Sequence, residues 1–356
     1  MKTVLLSLLF AAAALAADSY QLVKRIPIPG DYGWDYLAVD SAARRLYVSH
    51  DREVVVVDID SGSPVGVIPN GRSVHGIAIA PDFGRGFITN GQPGTVTIFD
   101  LKTLRTLDEV KIGENPNCVL FDPKTQRIFT ADRGSQRVSA IDPRSGKVIG
   151  TIENLGGKVE YAVADGEGHV FMNMQDRNTV LKLDAQGLKV LATWPLAPCE
   201  QPTSIAMDRA GKRLFIGCRS GVLAVVNATN GKLVATLPIG KAVDATTFDP
   251  ETHLVFNSNG DGTLTVTKQE SVDRYRVVEN VKTQTGSRTM ALDPKTHKVF
   301  LAAAEYAPAP PASPGQPRPR GKMVPGSFSI LVFAPGKYEL SRLSAIPKMR
   351  TLPALK

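Results

Sequence analysis

The feature that most constrains this chain is a segment of about 40 residues that recurs seven times. Each copy holds a short apolar strand that ends near Asp, a second apolar strand, a polar loop and a third strand. The first strands read YLAVD (36–40), GIAIA (76–80), CVLFD (118–122), YAVAD (161–165), SIAMD (204–208), ATTFD (245–249) and TMALD (289–293). A period of this length with four strands per copy is typical of β-propeller blades. The sequence therefore predicts an all-β fold, a single seven-bladed β-propeller with four-stranded blades.

Two segments compete for the outermost strand of the last blade. Residues 20–30 read YQLVKRIPIPG and resemble KLVATLPIG (232–240), which occupies an outermost position in an earlier copy. Residues 337–346 read KYELSRLSAI and follow the last copy directly. We predict that the N-terminal strand completes the last blade and closes the ring.

The first sixteen residues match a secretory signal peptide. Lys2 precedes the apolar stretch from Val4 to Ala13, and small residues occupy the positions before the expected cleavage site at Ala16. The remaining residues, 17–356, are expected to form one exported domain, periplasmic or secreted. They contain no further apolar run of membrane-spanning length, so we expect no membrane insertion, and we expect a monomer.

A proline-rich insertion at residues 304–326 interrupts the last copy of the repeat. Its proline density predicts an extended or disordered segment. The net charge is +8, and the region after residue 303 supplies most of it, with eight basic and two acidic residues. The propeller body is therefore expected to be nearly neutral.

One residue at the same register of each copy is expected at the mouth of the central channel. The loops that enter the innermost strands and those that join second and third strands lie on one face of a propeller, which we call the top face. The seven mouth residues are Asp35, His75, Asn117, Glu160, Thr203, Asp244 and Arg288. Either they are the polar lining that any water-filled entrance requires, or they bind a ligand. Oxygen and imidazole donors also allow a divalent cation held by Asp35, His75, Glu160 and Asp244.

Loops after the second strands add further polar side chains to the same face. Asp-Arg pairs recur at 51–52, 132–133 and 176–177. The added candidates for ligand binding are His50, Arg133, Arg177 and Arg219. The arginines either tie neighbouring loops together, or they bind an anionic ligand, because guanidinium groups match carboxylates and phosphates. Trp34, Tyr36 and Tyr161 lie beside the mouth, where they either stack on a ligand or pack within the blades.

The chain has three cysteines, which an oxidising compartment allows to pair. Cys199 lies in the loop that enters the fifth copy, and Cys218 ends the second strand of the same copy. Both belong to the top face, so a Cys199–Cys218 disulfide is predicted. Cys118 starts an innermost strand and is expected to be a small buried residue.

Two repeats permit comparison with a known family. LYVSHDREVVVVDIDSGSPVGVIPNG (46–71) and GFITNGQPGTVTIFDLKTLRTLDEVKIGENPN (86–117) are similar to the YVTN-type β-propeller repeat of YncE-like exported proteins, with YVSH and FITN in place of the tetrad. The resemblance extends over residues 35–303 and resumes after 326. It implies a seven-bladed propeller outside the cytoplasm, and it implies DNA binding or a cell-surface role for some members.

Three functions stay open at the level of sequence. The first is a binding or interaction scaffold whose top face receives a small molecule or a protein. The second is a metal-dependent hydrolase similar to propeller lactonases, in which a central cation polarises a carbonyl group. The third is DNA binding through the basic C-terminal region. We favour a binding protein over an enzyme, because the sequence has no phosphate-binding loop, no GxSxG and no HExxH motif.

Overall fold

The computed structural model describes residues 19–310 and 321–336. The predicted signal peptide, the competing strand at 337–346 and the centre of the proline-rich insertion lie outside these residues. The described part of the chain forms seven four-stranded antiparallel sheets and one short 3-10 helix, Pro81–Phe83. The predicted seven-bladed β-propeller is therefore confirmed.

Each blade runs from an innermost strand at the channel to an outermost strand at the rim. Blade 1 contains β2 (Leu37–Asp40), β3 (Arg45–His50), β4 (Glu53–Asp58) and β5 (Pro64–Ile68); blade 2 contains β6 (Val74–Ala80), β7 (Arg85–Asn90), β8 (Thr95–Asp100) and β9 (Thr106–Lys111); blade 3 contains β10 (Pro116–Asp122), β11 (Arg127–Asp132), β12 (Arg137–Ile141) and β13 (Val148–Ile152); and blade 4 contains β14 (Val159–Ala164), β15 (His169–Met174), β16 (Thr179–Asp184) and β17 (Lys189–Pro195). Blade 5 contains β18 (Pro202–Asp208), β19 (Arg213–Cys218), β20 (Val222–Asn227) and β21 (Leu233–Pro238); blade 6 contains β22 (Val243–Asp249), β23 (Leu254–Asn259), β24 (Thr263–Ser271) and β25 (Arg274–Lys282); and blade 7 contains β26 (Met290–Asp293), β27 (Lys298–Ala303), β28 (Ser329–Pro335) and β1 (Tyr20–Pro27).

Aspartate side chains form the turns between the first and second strands. The Asp40 carboxylate accepts hydrogen bonds from the backbone N–H groups of Ala42 and Ala43, at 3.1 and 2.9 Å. The Asp208 carboxylate accepts one from the N–H of Gly211 at 2.9 Å. Such short polar side chains favour turns because they replace a backbone acceptor locally. The repeated Asp residues therefore stabilise the turn between the first and second strands in most blades.

An aromatic side chain at the centre of every second strand builds the core between blades. These residues are Tyr47, Phe87, Phe129, Phe171, Phe215, Phe256 and Phe300, and each is no more than 1% exposed. A buried aromatic side chain contributes a large apolar area, and its removal from a core costs about 3–5 kcal/mol. One such group per blade explains why every blade depends on its neighbours for burial.

The N-terminal strand closes the ring, as predicted. In blade 7, β1 pairs antiparallel with β28, with Tyr20 opposite Pro335 and Pro27 opposite Ser329. Every innermost strand contacts the innermost strands of both neighbouring blades, including β26 with β2. On the bottom face, Arg44 of blade 1 donates a hydrogen bond to the buried Asp293 of blade 7 at 2.8 Å. Blade 7 is thus completed by a strand that precedes blade 1 in the chain, and an ion pair joins the two blades directly.

The two described ends of the proline-rich insertion, 304–310 and 321–326, pair with each other. Tyr306 and Met323 form an antiparallel β-bridge. The Ala307 N–H donates to the Lys322 carbonyl at 2.8 Å, and the Val324 N–H donates to the Glu305 carbonyl at 2.8 Å. These hydrogen bonds use positions that are not proline, so the proline density does not prevent them. The described ends of the insertion therefore form a short two-stranded stem at the top face.

No helix in the described residues has the length and apolar character needed to cross a membrane.

Candidate binding site at the channel mouth

The structure brings six of the seven predicted mouth residues into one cavity of about 360 Å³. The cavity is lined by Asp35, His75, Asn117, Glu160, Asp244 and Arg288, together with Arg133 and Arg219. The seventh residue, Thr203, lines a smaller cavity of about 20 Å³ directly below, together with Glu160 and Asp244. The smaller cavity has room for about one water molecule. The common register of the repeats therefore places these side chains at a single site.

Most charged side chains of the mouth form ion pairs between neighbouring blades. His75 Nδ1 lies 2.6 Å from Asp35 Oδ2 and joins blades 2 and 1. Arg288 Nε donates to Asp244 Oδ2 at 3.0 Å and joins blades 7 and 6. The Arg133 guanidinium donates to the Glu160 carboxylate and joins blades 3 and 4.

Two of these carboxyl groups ionise less readily than usual. Burial raises the pKa of Glu160 to about 7, although the nearby Arg133 lowers it in part. Burial also raises the pKa of Asp244 to about 6, against the attraction of Arg288. Desolvation penalises the charged form of both groups, and their mutual repulsion with Asp35 adds to it. Carboxyl groups with such shifted pKa values in a cleft mark candidate functional sites.

The proposed set of metal ligands is not assembled. No group of three or more His, Cys, Asp or Glu side chains among residues 19–310 and 321–336 is arranged to hold a metal ion. The reason is that Asp35 pairs with His75, while Glu160 and Asp244 each pair with an arginine. Carboxylates already bound to cationic side chains are poor ligands for a divalent cation.

Arg219 differs from the other arginines of the mouth. It follows Cys218 at the end of β19 and is partly exposed. Its guanidinium has no hydrogen-bond or ion-pair partner within the described part of the chain, although it is near enough to lower the pKa values of Glu160 and Asp244. The structure pairs Cys199 with Cys218 in a disulfide, with 5.6 Å between their Cα atoms, and Cys118 is free and buried. The backbone that presents Arg219 is thus covalently anchored.

Two predicted ligand-binding residues do not line the mouth. His50 is fully buried below the top face, where it stacks on Phe328 at 4.7 Å and contacts Tyr32 edge-on at 5.4 Å. Arg177 is exposed at the periphery, and its Nε donates to the Gly156 carbonyl at 2.7 Å. The polypeptide that leads from β1 to β2 covers His50, and sequence register alone does not reveal this covering. In the second Asp-Arg pair, Asp132 pairs with Arg137 of its own blade at 3.3 Å and accepts a hydrogen bond from the Gly113 N–H at 3.1 Å, in the loop that enters blade 3.

Aromatic side chains border the mouth on two sides. Tyr36 and Tyr161 approach each other with ring centroids 4.9 Å apart, and both line the small cavity under the mouth. Burial raises the pKa values of both phenols. Trp34 lines the mouth and stacks on Phe328 at 4.9 Å. The tyrosines therefore form the floor of the site, and Trp34 forms part of its wall.

Sequence reasoning missed two polar residues that line the mouth, Ser73 and Asn115. Ser73 Oγ lies 3.3 Å from His75 Nε2. Both residues precede a predicted mouth residue by two positions. Both lie in the turn that enters an innermost strand, on the face where the repeat register placed His75 and Asn117, so the same register also contained the signal for Ser73 and Asn115.

Comparisons with known proteins agree with the fold. The family model described as "Outer membrane protein assembly factor BamB" matches residues 124–307, which is more than half of the chain. No curated protein matches the sequence significantly. A chain in the solved structure titled "Crystal Structure of Mitotic Checkpoint Complex" is similar with a TM-score of 0.70 at 17% identity, over 85% of this chain and 95% of that chain. At this identity the likeness shows the fold alone. These matches fit a propeller repeat protein without singling out the YVTN-type repeat, and the chain belongs to the family described as outer membrane protein assembly factor BamB.

Proposed function

We propose that this chain is an exported binding scaffold whose channel mouth receives an anionic group of a small molecule or a partner protein. The observation that carries the proposal is Arg219, a cation of the mouth with no hydrogen-bonded carboxylate within the described residues. Guanidinium groups bind carboxylates and phosphates through charge-assisted hydrogen bonds. A propeller scaffold fits such a binding role, and the anionic ligand is our extension of it.

The ionisation of the neighbouring carboxyl groups supports an anionic ligand. With a pKa of about 7, Glu160 carries only about half of its negative charge at neutral pH. The arginines keep their full charge, because guanidinium stays protonated throughout this range. Partial protonation of Glu160 therefore reduces the negative charge that an anionic ligand meets at the mouth, where four carboxyl groups and three arginines line the cavity.

Two sources of the anionic group are compatible with a cavity of this size. A small acid fits within about 360 Å³, and so does the acidic side chain or C-terminus of a protein. The description of the family as an outer membrane protein assembly factor supports a protein source. Titrations with citrate and with a glutamate-rich peptide distinguish the two, because a protein site should prefer the peptide.

We expect that replacing Arg219 with Ala weakens binding of the preferred probe by about 10- to 100-fold, because a charge-assisted hydrogen bond contributes about 1.5–3 kcal/mol. Isothermal titration calorimetry at constant ionic strength measures this change. Arg72→Ala is the matched control, since Arg72 is an exposed arginine of the same face outside the mouth cavity. Equal weakening by both variants, or no binding by the wild type, would refute the proposal.

The pH dependence of binding has a defined sign. An anion binds best when Glu160 and Asp244 are protonated, because the neutral carboxyls do not repel it. Affinity should therefore fall as the pH rises from about 5 to about 8, through the raised pKa values of the two groups. In the Glu160→Gln variant this dependence should be weaker. An affinity that increases with pH would indicate a cationic ligand instead.

Export is part of the proposal, and mass spectrometry of the protein produced with its leader tests it. A mature N-terminus near Ala17 is expected after cleavage of residues 1–16. The two other functions are not favoured. The carboxylates of the mouth are engaged by cationic side chains, which weakens the case for a metal-dependent hydrolase, and the nearly neutral propeller body weakens the case for DNA binding.

A further inference from the structure

We propose that Ser73, His75 and Asp35 form a nucleophile relay at the channel mouth that transfers acyl groups from small esters to water. The three side chains come from two adjacent blades and all line the mouth cavity. Their contacts run in one line, from Ser73 Oγ to His75 Nε2 and from His75 Nδ1 to Asp35 Oδ2. A serine, a histidine and an aspartate in this order of contacts occur on unrelated folds, so the set is identified by its geometry and not by sequence position.

Asp35 determines which nitrogen of His75 carries the proton. At 2.6 Å the carboxylate accepts a hydrogen bond from Nδ1–H, which leaves the lone pair on Nε2. Nε2 lies 3.3 Å from Ser73 Oγ, a distance at which it can accept the hydroxyl proton. This distance is slightly longer than a usual hydrogen bond between a nucleophile and its base, which is common in the absence of a ligand.

The backbone around Ser73 is held on both sides. The Gly91 N–H donates to the Ser73 carbonyl at 2.8 Å, and the Val74 N–H donates to the Asp51 carbonyl at 2.8 Å. Ser73 has a φ of 55°, but Asn115, Gln201 and Ala242 have similar values at equivalent positions, so this turn belongs to the repeat. The equivalent positions two residues before the mouth residues hold Gly33, Asn115, Lys158, Gln201, Ala242 and Gly286. Only blade 2 combines a hydroxyl at this position with a histidine at the next mouth position.

Gly91 provides the space that the imidazole occupies. A Cβ atom built on Gly91 would lie 2.8 Å from His75 Nε2 and 3.1 Å from Asn115 Oδ1. The Asn115 side-chain amide is thus close to the reacting end of the histidine. Asn115 and Arg133 line the same cavity, so their side chains are candidate donors to a developing oxyanion.

A second His–Asp pair shows what a purely structural contact looks like in this molecule. His297 Nδ1 lies 2.7 Å from Asp249 Oδ2 and joins two blades on the bottom face. Its Nε2 faces the carboxylate of Glu251 at 3.8 Å and not a hydroxyl group. A His–Asp pair alone is therefore enough to join two blades. A structural role of this kind does not explain the contact between Ser73 and His75.

The reaction balances with water as the only co-reactant. Ser73 Oγ attacks the carbonyl carbon of the ester while its proton moves to His75 Nε2, and Asp35 stabilises the imidazolium. The C–O bond to the alcohol breaks, and His75 returns the proton to the leaving oxygen. Water then attacks the acyl-Ser73 ester and gives a proton to His75. The bond between the acyl carbon and Ser73 Oγ breaks, His75 returns the proton to Oγ, and the carboxylic acid is released.

The substrate class follows from the surroundings of the relay. The cavity of about 360 Å³ accommodates a small ester, and Arg219 and Arg288 lie in its wall. An ester that carries a negative charge is therefore the preferred substrate. This preference rests on the proposed function, whereas the reactivity of Ser73 does not.

The nucleophile is tested with an uncharged fluorophosphonate, followed by mass spectrometry of the labelled peptide. We expect one adduct, on Ser73. Labelling should slow at least about 100-fold in His75→Gln, because general-base catalysis contributes about 10²- to 10⁴-fold. Gly91→Ala, which displaces the imidazole, should also slow it. Ser135→Ala is the control, since Ser135 lies on the same face and its Oγ accepts a hydrogen bond from the Glu114 N–H.

The absence of an adduct on Ser73 in the folded wild-type protein would overturn the proposal, and so would equal labelling rates in wild type and His75→Gln. Thermal unfolding curves show that each variant is folded before it is labelled. Hydrolysis of 4-nitrophenyl acetate and of the anionic 4-nitrophenyl hemisuccinate separates the two claims. If Ser73 is labelled but Arg219→Ala still prefers the hemisuccinate to the acetate, the relay is supported and the anion site is refuted.

Discussion

At the scale of single residues, burial and neighbouring arginines together determine the pKa values of the carboxyl groups Glu160 and Asp244. Glu160 and Asp244 are more than four-fifths enclosed by neighbouring atoms, as the exposures of 10% and 15% for their side chains show. Their ion pairs reduce the cost of burying a charge without abolishing it. The result is two carboxyl groups that change charge near neutral pH.

This ionisation predicts a pH-dependent stability. The pKa of Glu160 is raised from 4.5 to about 7 in the folded protein, so its favourable contribution is complete below about pH 4.5 and is lost as the pH rises through 7. Relative to Glu160→Gln, the wild type should lose roughly 3 kcal/mol of unfolding free energy between about pH 4.5 and about pH 8. Urea denaturation across this range measures the difference. Parallel curves for the two proteins would show that the pKa of Glu160 is not raised, and the exposed-site variant Glu109→Gln should follow the wild type.

The residues of the mouth also show how far the sequence determines a site. The repeat register places Asp35, Glu160 and Asp244 at one level of the ring, and in the structure these three residues line one cavity. Which cation pairs with which carboxylate depends on the rotation between neighbouring blades, and the repeat pattern contains no information about that rotation. For the same reason, the covering of His50 by the segment after β1 could not be predicted.

At the scale of elements, the closing strand β1 pairs an N-terminal segment with β28 of blade 7. Its two ends are buried in different core clusters, Tyr20 beside Phe256 of blade 6 and Ile26 at the junction with blade 1, whereas Leu22 between them is 50% exposed. Its similarity to an outermost strand of another blade identified its role in advance. The prediction succeeded because residues 20–30 share the sequence pattern of residues 232–240, which include the outermost strand of blade 5.

Two substitutions in β1 separate burial from strand propensity. Ile26→Ala should lower the unfolding free energy by about 3 kcal/mol, because it removes a buried side chain from the junction of the first and last blades. Leu22→Ala in the same strand should change it by less than about 0.5 kcal/mol. Chemical denaturation measures both. A similar loss of unfolding free energy in the two variants would mean that burial of Ile26 does not hold β1 in place.

The disulfide of blade 5 makes a second prediction at this scale. Cys199 and Cys218 are 19 residues apart, and closing a loop of this length stabilises a protein by about 3 kcal/mol. The double variant Cys199→Ser/Cys218→Ser should therefore lose roughly this amount. Wild type unfolded and refolded under reducing conditions is the control and should match the double variant. Equal stability of oxidised and reduced wild type would contradict the assignment.

At the scale of the whole molecule, seven similar blades provide stability while one face concentrates the chemically distinctive groups. The aromatic positions of the second strands are occupied in all seven blades, whereas the mouth residues differ from blade to blade. This division lets the mouth carry buried charges without compromising the core. A ligand at the channel axis contacts several blades at once, so binding should also stabilise the closed ring.

The most direct measurement of the central claim is the fluorescence of Trp34 during titration with citrate. The chain has two tryptophans, and Trp194→Phe leaves Trp34, which lines the mouth, as the sole reporter. We predict a saturable change in emission. The citrate concentration at half saturation should rise at least about tenfold in Arg219→Ala and stay unchanged in Arg72→Ala. An emission that stays constant in all variants, or that changes equally with and without Arg219, would contradict an anion-binding site at the channel mouth.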